Sequence, residues 1–359
     1  MKNVSFDLIV FTTILAGERW GGRERMKKVY QLLGYLKTIN VTKVIHPQDE
    51  WIHTNLLNDF IIDFKISHVF SVAPPSEWKK IYNRVNFSKV NFHSVLTGYL
   101  SEETIKKCKA ITDSITHQNI DIGYRAYKSP PWLGKHGFLK TKIADIFLEQ
   151  APKHNFEVNI STEEEDTILG DDWLKFMASC KYFIGVEGGS TIIDPDGEIF
   201  KKGTSYFQLN PEATFEELEK LFFEGMDGNL GLIAISPRHL EACVTKTCQV
   251  LIEGNYNNVL KPNVHYIEIK KDFSNLEAVF QQMKNENLRK KYIEAAYRDV
   301  VESKKYTYEN YTATIISQSI DTVKAIHKRS LKNCLGLWRN RISDKRFRKI
   351  KQNEAFSKE

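Results

Sequence analysis

Residues 231–269 read GLIAISPRHLEACVTKTCQVLIEGNYNNVLKPNVHYIEI and show the pattern on which the whole chain is built. The apolar run GLIAI has strand length, Ser236 and Pro237 form a helix start, and the runs CQVLIEG and HYIEIKK again have strand length. Strand and helix alternate in this way along the chain, and such alternation predicts parallel sheets with crossover helices. The sequence therefore predicts an α/β fold of two Rossmann-like, doubly wound domains.

The same alternation extends towards both ends of the chain. In the first half, strand-like runs are FDLIVFTTIL, VTKVIHP and SHVFSVA; in the second half they are IDIGYRA, FEVNIST and KYFIGVEGG. We expect a domain boundary near residue 115. The predicted organisation is a first domain of residues 1–115, a second domain of residues 116–327 and a basic tail of residues 328–359.

Composition indicates a globular protein. The chain has 359 residues, of which 42% are hydrophobic and 12% aromatic, so about two domains with full cores are expected. It has no apolar run of about 18 residues and no secretory signal, so we expect a cytoplasmic location. Five scattered cysteines favour reduced, structural thiols over disulfides or zinc binding; they are Cys108, Cys180, Cys243, Cys248 and Cys334.

The C-terminal tail carries most of the uneven charge. Between Lys328 and Lys351 there are ten lysines and arginines, and Asp344 is the only acid. Such a run is most often a solvated terminus, but neighbouring apolar residues such as Trp338 also suit peripheral contact with anionic lipid. Nucleic-acid binding is the less favoured alternative.

Several predicted strands of the second half end in groups that suit a ligand. A glycine pair lets a ligand approach the backbone, a cation at a helix start neutralises phosphate, and a carboxylate suits sugar hydroxyls. The alternatives are a tight turn for the glycines, a surface ion pair for Arg125 and a plain surface position for Glu241. The candidate residues are Arg125, Lys140, Glu187, Gly188, Gly189, Ser190, Ser236, Pro237, Arg238, Glu241, Asn255 and Tyr256.

Three of these segments carry a family resemblance: GYRAYKSPPWLGKHGFLK, GDDWLKFMASCKYFIGVEGGSTIIDPDG and ISPRHLEACVTKTCQVLIEGNY. The chain resembles the CgeB-type glycosyltransferase-like proteins, a branch of the two-Rossmann-domain (GT-B) glycosyltransferases related to families 1 and 4. The resemblance covers most of residues 40–310. It implies that Arg125 and Lys140 contact a donor diphosphate, that Glu241 binds ribose or sugar hydroxyls, and that residues 236–238 shape the donor loop.

Two features depart from that family. Many such enzymes carry two glutamates, the second eight residues after the first. Eight residues before Glu241 this chain has Ile233, so the first glutamate is absent at that spacing. The first domain is also shorter than a GT-B acceptor domain usually is. Both departures leave open a non-catalytic sugar-nucleotide or glycan-binding protein as the alternative to an active glycosyltransferase.

The segment HPQDEW supplies the candidate catalytic residue. Asp49 follows a predicted strand and could act as the base that receives the acceptor proton, although Asp49 and Glu50 could instead open the next helix. His46 and Glu50 could suggest a metal site, but no further His or Cys cluster completes a ligand set, so no bound metal is expected. The expected reaction is metal-independent transfer from a nucleotide-diphosphate sugar to an unidentified glycan or protein acceptor.

Overall fold

The computed structural model describes residues 6–210 and 212–320 and contains two parallel β-sheets. The first sheet pairs its four strands in the order β1-β2-β3-β4. They are β1 Leu8–Phe11, β2 Thr42–Ile45, β3 His68–Ser71 and β4 Asn91–Ser94. The strands follow the order of the chain, and right-handed crossovers in this order place the connecting helices on one face of the sheet. Its α-helices are Thr13–Gly17, Gly22–Leu33, Thr54–Asp63 and Trp78–Ile81.

The second sheet is doubly wound. The remaining strands are β5 Ile120–Arg125, β6 Val158–Ser161, β7 Cys180–Gly185, β8 Gly188–Ser190, β9 Leu232–Ala234, β10 Cys248–Ile252 and β11 Tyr266–Ile269. Five of them pair in parallel in the order β11-β10-β7-β5-β6, and β8 and β9 form a separate antiparallel pair. Strand order reverses between β5 and β7, and in such sheets ligands bind outside the carboxyl ends at this reversal. The predicted α/β fold with two parallel sheets is confirmed.

Helices cover the second sheet on both faces. They are Lys135–Gln150, Asp171–Ala178, Pro237–Val244, Leu276–Met283 and Glu286–Ala296. Helices Glu198–Leu209 and Phe215–Leu218 lie between β8 and β9 and pack on the core of the first unit. The sheet interior follows the continuous apolar runs of the sequence, since every residue of β10 is buried. The core of this unit therefore lies between β10, β7, β5 and the two helix layers.

Two further helices cross between the units. Helix Glu102–Ser114 begins at the predicted N-cap Ser101, whose hydroxyl accepts from the Thr104 N–H, and its Cys108 packs in the second unit. Helix Tyr308–Ser319 returns to the face of the first sheet that the crossover helices leave open, where Ile315 packs against β2 and β3. Helix Glu102–Ser114, which follows the strands of the first unit, thus packs on the second unit, and helix Tyr308–Ser319, which follows the strands of the second unit, packs on the first.

Residues 191–231, between β8 and β9, are here called the bridging segment because they pack mainly on the first unit. The Asp194 N–H donates to the Trp51 carbonyl at 2.6 Å, and the His53 N–H donates to the Asp194 carbonyl at 2.8 Å. The ring of Phe200 makes edge contacts with those of Trp20, Trp51 and Trp132. The apolar residues that the segment adds to the first core are Ile192, Ile199, Phe215, Leu218, Phe223 and Leu230.

Within residues 6–210 and 212–320, no helix is both long and apolar enough to cross a lipid bilayer. Four of the five cysteines fall in these ranges, and all four are free and buried, as the sequence predicts: Cys108, Cys180, Cys243 and Cys248. The basic tail of residues 328–359, and with it the predicted lipid contact, lies outside the described residues.

Candidate functional site

The carboxyl ends of the second sheet bring most candidate residues to one edge. β5 ends at Arg125, and β7 and β10 are followed within a few residues by Glu187 and Asn255. Lys271 comes two residues after the end of β11 and belongs to the same edge. The first unit contributes the loop after β2, which carries Asp49. Parallel strands place their carboxyl ends together, so the candidate site lies where the two units meet.

Lys140 lies at the centre of this region. Helix Lys135–Gln150 begins four residues before the expected Leu139, after Gly134 with a φ of 78°, so Lys140 stands in its second turn. Burial, together with the nearby Arg238 cation, lowers the pKa of Lys140 to about 8, although the Asp49 carboxylate opposes both effects. Lys140 is therefore close to a cation of its own unit and to a carboxylate of the other.

Arg238 stands at the start of helix Pro237–Val244. Ser236 holds the N-cap position with an extended backbone, and Pro237 occupies the first turn, as the sequence predicts. One Nη of Arg238 donates to the main-chain carbonyl of Arg125 at 2.8 Å, which ties the helix start to the end of β5. The positive end of the helix dipole and the two cations Lys140 and Arg238 together favour an anion here.

The side chain of Arg125 ties the end of β5 to neighbouring segments. Its guanidinium donates to the Asp166 carbonyl at 3.1 Å, to the Asn159 carbonyl at 2.9 Å and to the Asn159 side-chain oxygen at 2.6 Å. It also lies over the ring of Phe176 at 4.5 Å. The family resemblance implies that the guanidinium N–H groups of Arg125 contact a diphosphate, but here they donate to Asp166 and Asn159. Lys140 and Arg238 are therefore better placed to contact an anion.

Glu187 caps a turn at the same edge. The residue is 4% exposed, and its carboxylate accepts from the N–H groups of Asn255 at 3.0 Å and Tyr256 at 2.6 Å. The φ angles of Tyr256, Asn257 and Asn258 are all positive, at 46°, 52° and 57°. Burial raises the pKa of Glu187, while the two N–H groups and Lys271 lower it. Glu187, Asn255 and Tyr256 are thus brought together as one braced turn.

Gly188, Gly189 and Ser190 form β8 and shape its pairing with β9. The φ of Gly189 is 134°, and a Cβ atom there would lie 1.9 Å from the Leu232 carbonyl oxygen. The Ser190 hydroxyl donates to the Ile192 carbonyl at 2.9 Å and accepts from the Ile192 N–H at 3.1 Å. The close approach that the glycines allow is therefore to β9, and Ser190 braces the start of the bridging segment.

Glu241 lies one helical turn after Arg238. Its carboxylate accepts from the indole N–H of Trp173 at 2.9 Å and contributes to the raised pKa of Cys108, which burial mainly causes. The residue as a whole is only partly buried. Glu241 therefore lies beside helices Asp171–Ala178 and Glu102–Ser114, one turn away from the cations of the helix start.

Asp49 belongs to an irregular loop and not to a helix start, since the next helix begins at Thr54. The alternative in which Asp49 and Glu50 open that helix is therefore wrong. Asp49 has a φ of 51° and an exposed side chain. Desolvation by the surrounding protein raises the pKa of Asp49, while the positive charges of Arg19 and Lys140 lower it. The Asp49 carboxylate thus faces the site from the first unit.

The other acidic and basic groups of HPQDEW have structural partners. Glu50 is fully buried and accepts from Ser71, Tyr82 and two backbone N–H groups. His46 Nδ1 contacts the hydroxyl of Tyr311. Among residues 6–210 and 212–320, no three His, Cys, Asp or Glu side chains form a group that could hold a metal ion.

The structure adds three residues that the sequence analysis did not identify. His136 Nε2 donates to the Glu187 carbonyl at 3.1 Å, and Lys271 lies near both residues. Lys271 could have been found from its position two residues after a strand, because other candidates also follow strand ends closely. Arg19 bonds to the loop that carries Asp49. It was not identified because it lies in the polar stretch GERWGG, whose composition is typical of a surface segment.

Comparison with known proteins gives only a distant likeness. No protein-family model matches the chain, and no curated protein matches it. TarM aligns over 86% of this chain at 12% identity with a TM-score of 0.43, and the chain spans 54% of the length of TarM. HepE from Anabaena, solved in complex with UDP and glucose, aligns over 87% of this chain and 77% of its own at 12% identity with a TM-score of 0.45.

Sucrose-phosphate synthase from Thermosynechococcus elongatus aligns over 87% of this chain and 73% of its own at 10% identity with a TM-score of 0.45. At such identities and TM-scores, the likeness identifies neither a family nor a substrate. The chemistry of the site has to be inferred from the residues of this chain.

Proposed function

We propose that the protein is a glycosyltransferase that moves a sugar from a nucleotide-diphosphate donor to a hydroxyl acceptor. The observation that carries the proposal is the position of Lys140, which lies close to Arg238 in its own unit and to Asp49 in the other. A pair of partly desolvated cations suits a diphosphate, and a carboxylate across the cleft suits an acceptor hydroxyl. The finer assignment, to the CgeB-type branch of the GT-B enzymes, belongs to the same proposal.

In the proposed reaction, the bond between the anomeric carbon and the diphosphate oxygen breaks, and the acceptor oxygen bonds to that carbon. Lys140, Arg238 and the start of helix Pro237–Val244 stabilise the charge that develops on the departing diphosphate. Asp49 takes the proton of the acceptor hydroxyl. Glu241 holds hydroxyls of the donor, and Glu187 keeps the turn of Asn255 and Tyr256 in place beside it.

The proposal is tested with a panel of UDP-, GDP-, CDP- and dTDP-sugars, scored by thermal shift and by donor hydrolysis. Lys140→Met removes a cation from the proposed diphosphate site and is expected to weaken donor binding about 10- to 100-fold, the range of a hydrogen bond to a charged group. Lys153→Met is the control, because Lys153 is an exposed lysine paired with Glu149.

A wild-type protein that responds to no nucleotide sugar contradicts the proposal, as does equal loss of binding in both lysine variants. Binding without turnover would instead identify a non-catalytic sugar-nucleotide-binding protein, which Ile233 at the place of a family glutamate favours. The nucleotide that gives the largest shift identifies the donor base.

We further propose a cytoplasmic location with peripheral membrane contact through the basic tail. Ten cations between Lys328 and Lys351 support that contact, because they add a Coulomb attraction to anionic lipid at each positive charge. Deletion of residues 330–359 is expected to abolish binding to phosphatidylserine vesicles at low salt. Retained vesicle binding, or loss of RNA binding alone, contradicts the lipid role.

A further inference from the structure

Arg19 is a buried cation that binds backbone carbonyls of the loop after β2. Its side chain is 1% exposed. One Nη donates to the Ala16 carbonyl at 2.7 Å, and the other donates to the carbonyls of Gln48 at 2.5 Å and Asp49 at 2.6 Å. Its Nε donates to the Ile52 carbonyl at 3.2 Å. A single guanidinium therefore joins the first helical turn of the chain to three carbonyls of one loop.

Burial of this charge is unfavourable and requires compensation. Desolvation lowers the pKa of Arg19, and the carboxylates of Asp49 and Glu50 oppose that shift. The planar fork of an arginine can reach several carbonyls at once, whereas a lysine ammonium is a single point. The arrangement thus depends on arginine and not only on positive charge.

The loop that Arg19 holds has an unfavourable backbone conformation. Asp49 and His53 both adopt left-handed φ angles, of 51° and 50°. Non-glycine residues persist in that region only where their surroundings enforce it, and such residues concentrate at functional sites. Gln48 adds a second anchor, since its side-chain N–H group donates to the Thr97 carbonyl at 2.5 Å. The loop is therefore fixed from both sides around Asp49.

We propose that Arg19 is a positioning residue that holds the loop so that the Asp49 carboxylate faces Lys140 across the cleft. This inference rests on the proposed glycosyltransferase function. Arg19 touches neither donor nor acceptor and acts through Asp49 alone. The positive charge behind the loop also favours the ionised carboxylate, which is the form that accepts a proton.

The test is a double-mutant cycle on the full chain, with donor hydrolysis or sugar transfer as the readout. Arg19→Lys keeps the charge but loses the fork, and it is expected to lower kcat about 10- to 100-fold, the cost of misplacing a catalytic group by about 1 Å. The KM for donor and the Kd for the nucleoside diphosphate are expected to stay within about twofold. In an Asp49→Asn background, Arg19→Lys is expected to have no further effect on kcat.

Arg289→Lys is the matched control, because Arg289 is also largely buried but bonds to Glu286 and Gln118 in the second unit. It is expected to leave kcat unchanged. If Arg19→Lys fails to fold, Arg19→Gln takes its place, since an amide still donates to carbonyls without carrying the charge.

The positioning role is overturned if the folded Arg19 variant keeps the wild-type kcat, if it loses kcat equally in the Asp49→Asn background, or if it loses nucleotide binding. A wild-type protein that turns over no donor refutes the glycosyltransferase function itself, and the positioning role falls with it. The two failures are distinguishable, because the first leaves an active wild-type enzyme.

Discussion

Glu50 is a fully buried carboxylate whose protonation is coupled to stability. Burial raises its pKa from the ordinary 4.5 to about 7, against the hydrogen bonds from Ser71 and Tyr82 and the charge of Arg19. A raised folded-state pKa means that the folded protein holds this proton more tightly than the unfolded chain does. The stability contributed by Glu50 is therefore fully present below about pH 4.5 and is lost as pH rises towards 7.

Glu50→Gln replaces the protonated carboxyl by an isosteric amide and is expected to remove this dependence. The free energy of unfolding of the variant, relative to wild type, should rise between pH 5 and pH 8, measured by urea denaturation at several pH values. Glu77→Gln is a control of opposite sign, because Lys80 and the Gly231 N–H lower the pKa of Glu77 against the effect of burial. Parallel curves for wild type and Glu50→Gln would contradict the prediction.

The turn after β10 depends on a single side chain. Glu187 accepts from the N–H groups of Asn255 and Tyr256, and Tyr256 begins three consecutive left-handed residues. Glu187→Ala leaves these two N–H groups without their acceptor, which costs about 1–3 kcal/mol for each buried group that water does not reach. We expect a drop in the free energy of unfolding and faster hydrogen exchange at the amides of residues 255 and 256.

Glu187→Gln keeps one acceptor oxygen and should fall between wild type and Glu187→Ala. Glu253→Ala is the control, since Glu253 is more exposed and pairs with Lys270 near the same turn. Unchanged exchange at residues 255 and 256 in Glu187→Ala would show that the turn is braced in another way.

The sequence predicted most strands of both sheets because each is a nearly continuous apolar run, and β10 is buried throughout. It placed the start of helix Lys135–Gln150 too late, since the glycines at 134 and 137 and two prolines read as a loop. From the sequence, Lys140 and Arg238 were also expected near the carboxyl ends of the strands of the second half. It could not show that the donors of Arg125 are taken up by Asn159 and Asp166, because those contacts join segments far apart in the chain.

At the scale of the whole molecule, the bridging segment makes the two units one cooperative body. Phe200 contacts Trp20 and Trp51 of the first unit and Trp132 of the second. The apolar character of these residues is evident from the sequence, but it does not indicate which unit they pack against. Calorimetry is therefore expected to show one unfolding transition and not two.

Phe200→Ala removes the ring at this junction and is expected to cost about 2–4 kcal/mol, somewhat below the range for a fully buried phenylalanine. The shift should appear equally in probes of both units, such as hydrogen exchange in β2 and in β10. Leu209→Ala is the control, because Leu209 ends the same helix and is 82% exposed. A transition that splits into two in wild type, or a loss confined to one unit, would contradict this account.

The bridging segment also determines which part of the chain can be transplanted into another protein as a folded unit. A chimera cut near residue 115 would separate the first sheet from Ile192, Ile199 and Phe215, which complete its core. Both products of such a cut would expose apolar surface and would be prone to aggregate. A transplantable first unit has to include residues 191–231, so recombination in this protein has to follow the packing of the core and not the linear order of the chain.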